Sequence, residues 1–170
     1  MRRGAWRLAS ALAAALAVAT PAMARDAIPL GFDDLVDRAA RIVHGTVRSV
    51  DPGRDVDGIP ATWITLDVDE TLKGPAEATL VYKQVGVPEP LPDGTLLRLP
   101  GLPRYRVGDE VVVFLHGTSR RGFTSPVGLG QGLFRSESGP KGRAVRAALA
   151  TGTAEALPDF LARVRRRAQR

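Results

Sequence analysis

The hydrophobic pattern of residues 105–134 predicts a central hairpin. Its first half contains five consecutive apolar residues, 111–115, which predicts a strand buried on both faces. Turn residues precede this run at 108–109. After it, Arg120 and Arg121 form a basic tip, and Gly122 completes the turn. A glycine-rich return strand follows and ends in the apolar pair at 133–134. We expect the other elements to pack around this hairpin.

Periodicity predicts the elements on the N-terminal side. Residues 32–39 carry apolar side chains at i, i+3, i+4 and i+7, the pattern of a short helix. Residues 61–72 alternate apolar and polar, which predicts a strand with one face on the core and one in water. Two more strands are predicted at 42–50 and 79–85, and a polar loop at 51–60 separates the first from its neighbour.

The chain changes character between residues 86 and 103, where five prolines occur. Proline lacks the N–H group that a sheet ladder needs, so we expect a surface excursion with at most a short edge strand at 95–99. The excursion carries five leucines, which predict either a lid over one barrel mouth or a contact patch. These candidate contact residues are Leu91, Leu96, Leu97, Leu99 and Leu102.

The C-terminal segment, residues 143–170, is predicted to be helical. A short helix is expected at 144–150, and an apolar stripe between 157 and 164 predicts a second one. Arginines complement the negative end of a helix dipole, so part of the final basic cluster has a structural explanation; the alternative is contact with anionic lipid or glycan. The candidate basic tail consists of Arg163, Arg165, Arg166, Arg167 and Arg170.

The first 24 residues have the pattern of an export signal. Three arginines precede an apolar stretch, residues 8–20, that is too short to span a bilayer as a stable anchor. Residues 22–24 match the small-x-small pattern that signal peptidase accepts. We therefore expect cleavage after Ala24, a mature chain without a transmembrane segment, and a periplasmic or secreted bacterial protein.

Composition narrows the class of protein further. The chain has no cysteine, so an exported domain of this sequence must be stabilised by packing rather than by disulfides. Its net charge of +6 comes from arginines in the signal and at the C-terminus, and the rest is nearly neutral. Nucleic-acid binding is excluded, since it needs a basic folded surface interleaved with stacking aromatics.

The chemistry-bearing residues do not assemble into a recognisable active site. His44 and His116 lack the short spacing of a metal motif, although Glu70, Asp109 or Glu110 could partner them. We therefore interpret both histidines as strand residues on a polar face or hydrogen-bonded at a rim. No catalytic, metal or cofactor site is predicted.

Three further patterns also have structural interpretations. The glycine-rich stretch 128–132 is followed by a strand, whereas a phosphate cradle needs a helix there, so a bulge, a bend at a barrel corner or close packing of another backbone is expected. The aspartates at 51, 55 and 57 lack the later glutamate of a calcium loop, which favours a solvated hairpin. The serines at 119, 125 and 136 lack the nucleophile-elbow motif.

Five segments in order resemble a family of exported bacterial proteins of uncharacterised function. The similar motifs are an Ile-Val-x-Gly-x-Val strand, a Leu-Lys-Gly element, a Pro-Gly-x-Pro stretch ending in Gly-Asp, a Val-Val-Phe-Leu strand, and Val-Gly-Leu-x-Gln-Gly-x-Phe. They lie at 40–47, 68–74, 100–109, 112–115 and 127–134. In that family the genes are sometimes associated with secreted matrixin-like proteases, which implies a protease as a partner.

The first two of these segments also resemble the netrin-like, or tissue-inhibitor-of-metalloproteinase-like, OB-type barrel. Those inhibitors chelate zinc through an N-terminal cysteine that this chain lacks, so the resemblance implies architecture and not their chemistry. Together, pattern and resemblance predict a mainly β protein. We expect a small antiparallel OB-like barrel of five or six strands in residues 25–142, with a short N-terminal helix and C-terminal helices.

The function expected from these observations is binding without catalysis. The first hypothesis is an exported interaction module whose protein partner is unknown, with a secreted metalloprotease as one candidate. The alternative is a periplasmic ligand-binding protein, or one that binds anionic lipid or glycan at the envelope surface.

Overall fold

The computed structural model describes residues 28–139, 142–148 and 154–170, so the predicted signal peptide lies outside the described residues. Two helices and seven strands follow in chain order. They are α1 (Phe32–Arg38), β1 (Arg41–Arg54), β2 (Pro60–Lys73), β3 (Thr79–Val85), β4 (Glu110–Leu115), β5 (Leu133–Gly139), β6 (Gly142–Ala147), β7 (Glu155–Ala156) and α2 (Leu157–Ala168), with a 3-10 helix at Leu129–Gly132. Neither described helix is long and apolar enough to cross a membrane.

The seven strands form one antiparallel sheet in the order β3-β2-β1-β4-β5-β6-β7. This confirms the mainly β prediction, with more strands than expected. The sheet does not close through a strand ladder. Instead, one parallel bridge joins Lys83 to Phe123 and one antiparallel bridge joins Leu115 to Pro126. The segment between these bridges thus links β3 to β4, so "barrel" describes the shape only loosely.

Strand β4 is buried on both faces, as its apolar run predicted. Alternate side chains enter two separate cores because successive side chains of a strand point to opposite faces. Val111, Val113 and Leu115 join the core enclosed by the curved sheet. Val112 and Phe114 join the second core, between the sheet and the helices.

Aromatic side chains hold α2 on the sheet. The ring of Phe160 lies 4.6 Å from that of Phe134 and 6.3 Å from that of Phe114 (centroid to centroid). Phe32 of α1 packs edge-on against the same ring at 6.0 Å. Tilted and edge-on contacts are the favoured arrangement of aromatic pairs. The N-terminal and C-terminal helices therefore meet at one cluster on the outer face of the sheet.

The predicted helix at residues 144–150 is wrong. Gly142–Ala147 forms β6, which pairs with β5 from Gly139↔Gly142 to Phe134↔Ala147. The alanines favour a helix locally, but Val145 is buried in the core beside the helices and the backbone groups complete the sheet. The C-terminal region therefore contributes one described helix rather than two.

The glycine-rich return is a turn of 3-10 helix rather than a strand. Gly128 has a φ of +61°, which ends strand geometry, and β5 begins only at Leu133. At Gly132 a Cβ would lie 2.7 Å from the Val127 oxygen and 3.0 Å from the Phe114 oxygen. The chain thus folds back so closely against β4 that no side chain fits at Gly132. The alternation of apolar and polar residues does not report on such backbone contacts.

The short edge strand allowed at 95–99 is also not formed within the described loop. The backbone of this loop forms isolated hydrogen bonds instead of a ladder. In one of them the Val87 N–H donates to the Leu97 carbonyl at 2.9 Å. By contrast, the predictions of α1, β2 and β3 are confirmed to within two residues.

Candidate functional site

A cleft of about 290 Å³ lies beneath the proline-rich loop, at one end of the sheet. Its floor comes from neighbouring strands, with Val50 on β1, Thr62 on β2 and Gln84 on β3. Its roof comes from the loop. The roof residues include Val87, Pro88, Leu97, Arg98, Leu99, Leu102 and Arg104.

Hydrogen bonds join the loop to the sheet and join two parts of the loop to each other. The Gly86 N–H donates to the Pro60 carbonyl (2.8 Å), and the Arg98 guanidinium donates to the Pro88 carbonyl (2.8 Å). Gly86 has a φ of +90°, and a Cβ there would lie 2.7 Å from the Leu97 oxygen. Only glycine fits where the chain leaves β3 and turns under the returning arm of the loop.

A polar side chain occupies the inner end of the cleft. Gln84 continues the inward face of β3 after Leu80 and Tyr82, and it is 7% exposed. Its Nε2 donates to the Pro103 carbonyl at 3.3 Å, whereas its Oε1 has no hydrogen-bond partner among the described residues. A buried acceptor left unpaired costs about 1–3 kcal/mol. This oxygen is therefore a buried polar atom whose burial lowers the stability of the fold.

Two tyrosines lie beside this glutamine in the interior. The rings of Tyr82 and Tyr105 meet edge-on, with centroids 6.0 Å apart. Burial raises the pKa of Tyr82 well above its ordinary value, and the neighbouring Tyr105 raises it further. Burial likewise raises the pKa of Tyr105. Both phenols therefore stay neutral in the physiological range and offer no charged or nucleophilic group.

The five predicted contact leucines occupy three different environments. Leu97, Leu99 and Leu102 line the cleft. Leu96 and Leu99 expose 44% and 40% of their surface. Leu91 is half-buried, and its N–H donates to the Thr95 carbonyl (2.9 Å) to close a small loop. The candidate loop is thus both the roof of the cleft and an apolar surface.

Two distant segments extend this surface. Gly101 accepts a hydrogen bond from the Gly130 N–H (2.8 Å), which brings Leu129 beside the loop. Gln131 in turn binds the N-terminal segment, accepting from the Leu30 N–H (2.8 Å) and donating to the Ile28 carbonyl (3.2 Å). We call the resulting set of exposed side chains the apolar ridge: Ile28 (83% exposed), Leu96, Leu99 and Leu129 (38% exposed).

Leu129 is the one non-glycine residue in the described ranges with a positive φ, +62°. A bulky side chain in this region costs of order 1–3 kcal/mol and persists only where its surroundings impose it. The strained backbone here presents a leucine to solvent rather than to a core. Such strain is concentrated at functional positions, so it supports a role for the ridge.

A second group of polar residues surrounds His44, on the opposite face of β1 from the enclosed core. The imidazole Nε2 lies 3.0 Å from Glu110 Oε1 on β4 and 4.0 Å from Asp69 Oδ2 on β2. The Arg143 guanidinium of β6 donates to the same Glu110 oxygen. The structure thus places His44 beside Glu110, one of the partners that the sequence suggested, and leaves His116 exposed elsewhere.

The arrangement around His44 does not match a hydrolase triad or a good cation site. In a triad the imidazole stands between hydroxyl and carboxylate, whereas here Ser136 is adjacent to Glu110. His44, Asp69 and Glu110 bring potential ligand atoms within 4.8 Å of one another. However, the Arg143 charge already neutralises the shared carboxylate and would oppose a cation. We interpret the group as a structural polar network.

Glu110 makes a testable contribution to stability. Burial alone would raise the pKa of Glu110, but Ser136, His44 and Arg143 together lower it below its ordinary value. Its contribution is therefore complete above the unfolded-state pKa of about 4.3 and is lost as pH falls through the folded-state value. We expect Glu110→Gln to cost about 1 kcal/mol at pH 7 and much less at pH 3.

Urea unfolding of the wild type and the variant at pH 7 and pH 3 measures this difference. The exposed loop residue Glu89 provides the matched control, since Glu89→Gln should change stability little at either pH. A Glu110→Gln cost that stayed constant from pH 7 to pH 3 would contradict the assignment.

The arginines of the predicted basic tail belong to α2 and its C-terminus, and three of them bind carboxylates of the same chain. Arg165 donates to both oxygens of Glu70 (2.5 and 2.6 Å), which holds the pKa of Glu70 below its ordinary value. Arg163 binds Glu155 and lies 3.7 Å over the Phe32 ring. Arg167 pairs with Asp33 and Asp37. Arg166 and Arg170 are exposed.

A further cavity, of about 440 Å³, lies near the basic hairpin tip. Lys83 there binds the buried carboxylate of Asp55 at 3.1 Å and lies 4.1 Å from the Phe123 ring centroid. The same aspartate accepts from the Asp57 and Ile59 N–H groups and so organises the loop after β1. Of the three aspartates considered as a calcium loop, Asp55 and Asp57 lie in this loop and Asp51 lies on β1; the Asp55 carboxylate is paired with Lys83.

The sequence analysis did not identify Gln84 as a polar residue of the cleft, nor Ile28 and Leu129 as members of the ridge. Gln84 follows Leu80 and Tyr82 at intervals of two, so the alternation of β3 could have shown that it points inward. Nothing in the local sequence could have shown that Ile28 and Leu129 join the loop, because those contacts connect segments up to 103 positions apart.

No protein family model, no curated protein and no solved structure matches this chain.

Proposed function

We propose that this protein is an exported, non-catalytic binding module that contacts a protein partner through the apolar ridge. The observation that carries the proposal is that hydrogen bonds join three separate segments, each of which bears an exposed apolar side chain: Ile28, Leu99 and Leu129. Exposed apolar groups that cluster in this way are typical of interaction sites, whereas scattered ones are not.

The ion pairs of the basic cluster on α2 support a protein partner over a membrane or glycan surface bound through that cluster. The strongest basic cluster of the sequence lies on α2, where Arg163, Arg165 and Arg167 are occupied by carboxylates of the same chain. A secreted protease is the first partner to test, because the sequence resembles an exported family associated with such enzymes.

Affinity capture tests the proposal. The mature protein is immobilised and exposed to periplasmic extract and culture medium of a bacterium that encodes it, and the bound protein is identified and then titrated in pure form. We expect the double variant Leu99→Ser, Leu129→Ser to weaken binding of that protein by at least about tenfold, because truncated interface anchors commonly cost 1–2 kcal/mol each.

The matched control is Val81→Ser, which alters an exposed apolar residue of β3 outside the ridge. It should bind as the wild type does. If both variants bound the partner equally well, or if neither source contained a protein that bound the wild type, the proposed function would be wrong.

A further inference from the structure

The cleft beneath the proline-rich loop is lined by aliphatic side chains from two sides. Val50 and Val85 contribute to it from the sheet, and Val87, Leu97 and Leu99 contribute from the loop. Apolar surface that a ligand buries between such walls leaves water, which is the main favourable term in binding of hydrocarbon. The part of a ligand that enters the cleft should therefore be apolar.

The cleft offers no open aromatic ring against which a flat ligand could stack. Among the described residues that line it, the aromatic one is Tyr105, which is 8% exposed. The Tyr105 ring packs edge-on against Tyr82 in the enclosed core. A ring-shaped ligand gains its specific contacts from packing against another accessible ring. A flexible aliphatic chain therefore fits these walls better than a ring does.

The polar side chains of the floor bind carbonyl groups of the same chain. The Thr62 hydroxyl donates to the Gly86 carbonyl (2.7 Å), and Gln84 Nε2 donates to the Pro103 carbonyl (3.3 Å). Hydroxyl or carbonyl groups along the body of a ligand would have to compete with these carbonyls. A polar group that is buried without a partner is costly, so hydrocarbon is favoured over a sugar or a peptide.

The volume of the cleft limits the ligand to one short chain. The cleft holds about 290 Å³. A group the size of a water molecule takes up about 30 Å³, so the cleft has room for roughly ten non-hydrogen atoms. An α-helix is about 10–12 Å across with its side chains and is too wide for this space. A lipid with two long acyl chains is too large for the same reason.

Two arginines place positive charge at the exposed part of the cleft. Arg98 and Arg104 both line it and are exposed. Across the ranges that the structure describes, neither forms an ion pair, whereas the nearby Arg54 and Arg135 do. The Arg98 guanidinium donates to the Pro88 carbonyl (2.8 Å), which holds it beside the cleft. Guanidinium groups bind carboxylates and phosphates through charge-assisted hydrogen bonds, so the exposed end of the ligand should be an anion.

A single aliphatic chain with an anion at one end is the chemistry of a fatty acid or an alkyl phosphate. We propose that the cleft binds a single-chain anionic amphiphile, with its hydrocarbon chain between the walls and its head group at Arg98 and Arg104. Such a ligand enters chain first and needs one opening. The inference goes beyond the proposed function, because it concerns a small molecule and uses arginines that are not part of the ridge.

Isothermal titration calorimetry of the mature wild-type protein with decanoate tests the inference. The comparison ligands keep the chain and change the head group: decyl phosphate, decanol and decyltrimethylammonium. We expect the better of the two anions to bind at least about tenfold more tightly than decanol, the ratio that a charge-assisted hydrogen bond supports. The cation should bind no more tightly than decanol. The tighter anion then identifies the head group as carboxylate or phosphate.

The length of the chain tests the volume of the cleft. Each buried methylene group raises affinity by about fourfold, so hexanoate should bind far more weakly than decanoate. Tetradecanoate should gain little more, because its additional carbons would lie outside the cleft. All titrations stay below the concentration at which the ligand forms micelles. A gain that continued undiminished to tetradecanoate would place the chain on a larger apolar surface and would overturn the inference.

Variants separate the contacts of the head group from those of the chain. The double variant Arg98→Gln, Arg104→Gln should weaken binding of the preferred anion by at least about tenfold and leave decanol unchanged. Arg106→Gln is the matched control, because this exposed arginine does not line the cleft, and it should bind as the wild type does. Val50→Phe, which fills part of the cleft, should weaken both ligands. Should it fail to fold, the exposed arginine variants still decide the matter.

Anions that bound no more tightly than decanol or the cation, or an unchanged affinity in the double arginine variant, would overturn the inference. Acetate or inorganic phosphate bound as tightly as the decyl anions would also overturn it, because the arginines would then hold an anion without the chain. The proposed function fails separately. A partner protein that binds the double arginine variant as it binds the wild type supports the ridge, whatever the decyl ligands do.

Discussion

Replacing Gly45 with alanine should destabilise the protein by at least about 3 kcal/mol, or prevent folding. Gly45 lies on β1 where the register with β2 shifts, opposite Val68. A Cβ at this position would lie 3.1 Å from the Asp67 carbonyl carbon and closer still to its oxygen. Overpacking of a core typically costs about 1–3 kcal/mol and occasionally more. Because the obstacles here are backbone atoms, no side chain can rotate away, and we expect a cost at or above the upper end of that range.

Gly53 on the same strand is the matched control. A Cβ there would meet only the Trp63 ring, at 3.4 Å, and the backbone needs no positive φ. Gly53→Ala should therefore stay within about 0.5 kcal/mol of the wild type. Urea unfolding followed by circular dichroism measures both variants. Equal stabilities would show that β1 and β2 do not approach as closely at the bulge as the structure indicates.

Replacing Phe160 with alanine should cost about 3–5 kcal/mol, the range for a large aromatic removed from a core. Phe160 is 1% exposed and contacts the rings of Phe32, Phe114 and Phe134. Its loss opens a cavity at the point where both helices meet the sheet. We therefore expect lower stability together with faster amide hydrogen exchange in α2, because the helix loses its main contact with the sheet.

Arg166→Ala on the same helix should change stability by less than about 0.5 kcal/mol, since Arg166 is exposed. Thermal unfolding and hydrogen exchange of the two variants test the comparison. Similar effects from both would mean that α2 is held by its surface charges, through pairs such as Arg165–Glu70, rather than by aromatic packing.

The proposed interaction surface is away from the residues that these variants disturb. The ridge consists of exposed apolar side chains, whereas Gly45 and Phe160 act on the sheet and the helix layer. Variants of the ridge should therefore keep wild-type stability. Loss of binding in them can then be assigned to lost contacts rather than to unfolding.

Local patterns were informative wherever a side chain repeats its direction along one element. Alternation identified β2, the unbroken apolar run identified β4 as buried on both faces, and an i, i+3, i+4, i+7 stripe identified α1. They failed at residues 144–150, where alanine-rich sequence forms β6 because β5 supplies a partner. At 128–132 they predicted a return strand where a 3-10 turn forms, although the close packing of another backbone that the glycines indicated is present at Gly132.

The candidate site likewise combines features that the local sequence predicts with features that depend on tertiary contacts. The sequence by itself determined that a proline-rich loop would cross the surface and carry leucines such as Leu96 and Leu99, because proline cannot complete a ladder. Only the tertiary structure decided that the segments of Ile28 and Leu129 join this loop, and that Gln84 and Arg104 line one cleft. The physical reason is that contacts between distant segments depend on how the whole chain packs, and no local periodicity encodes them.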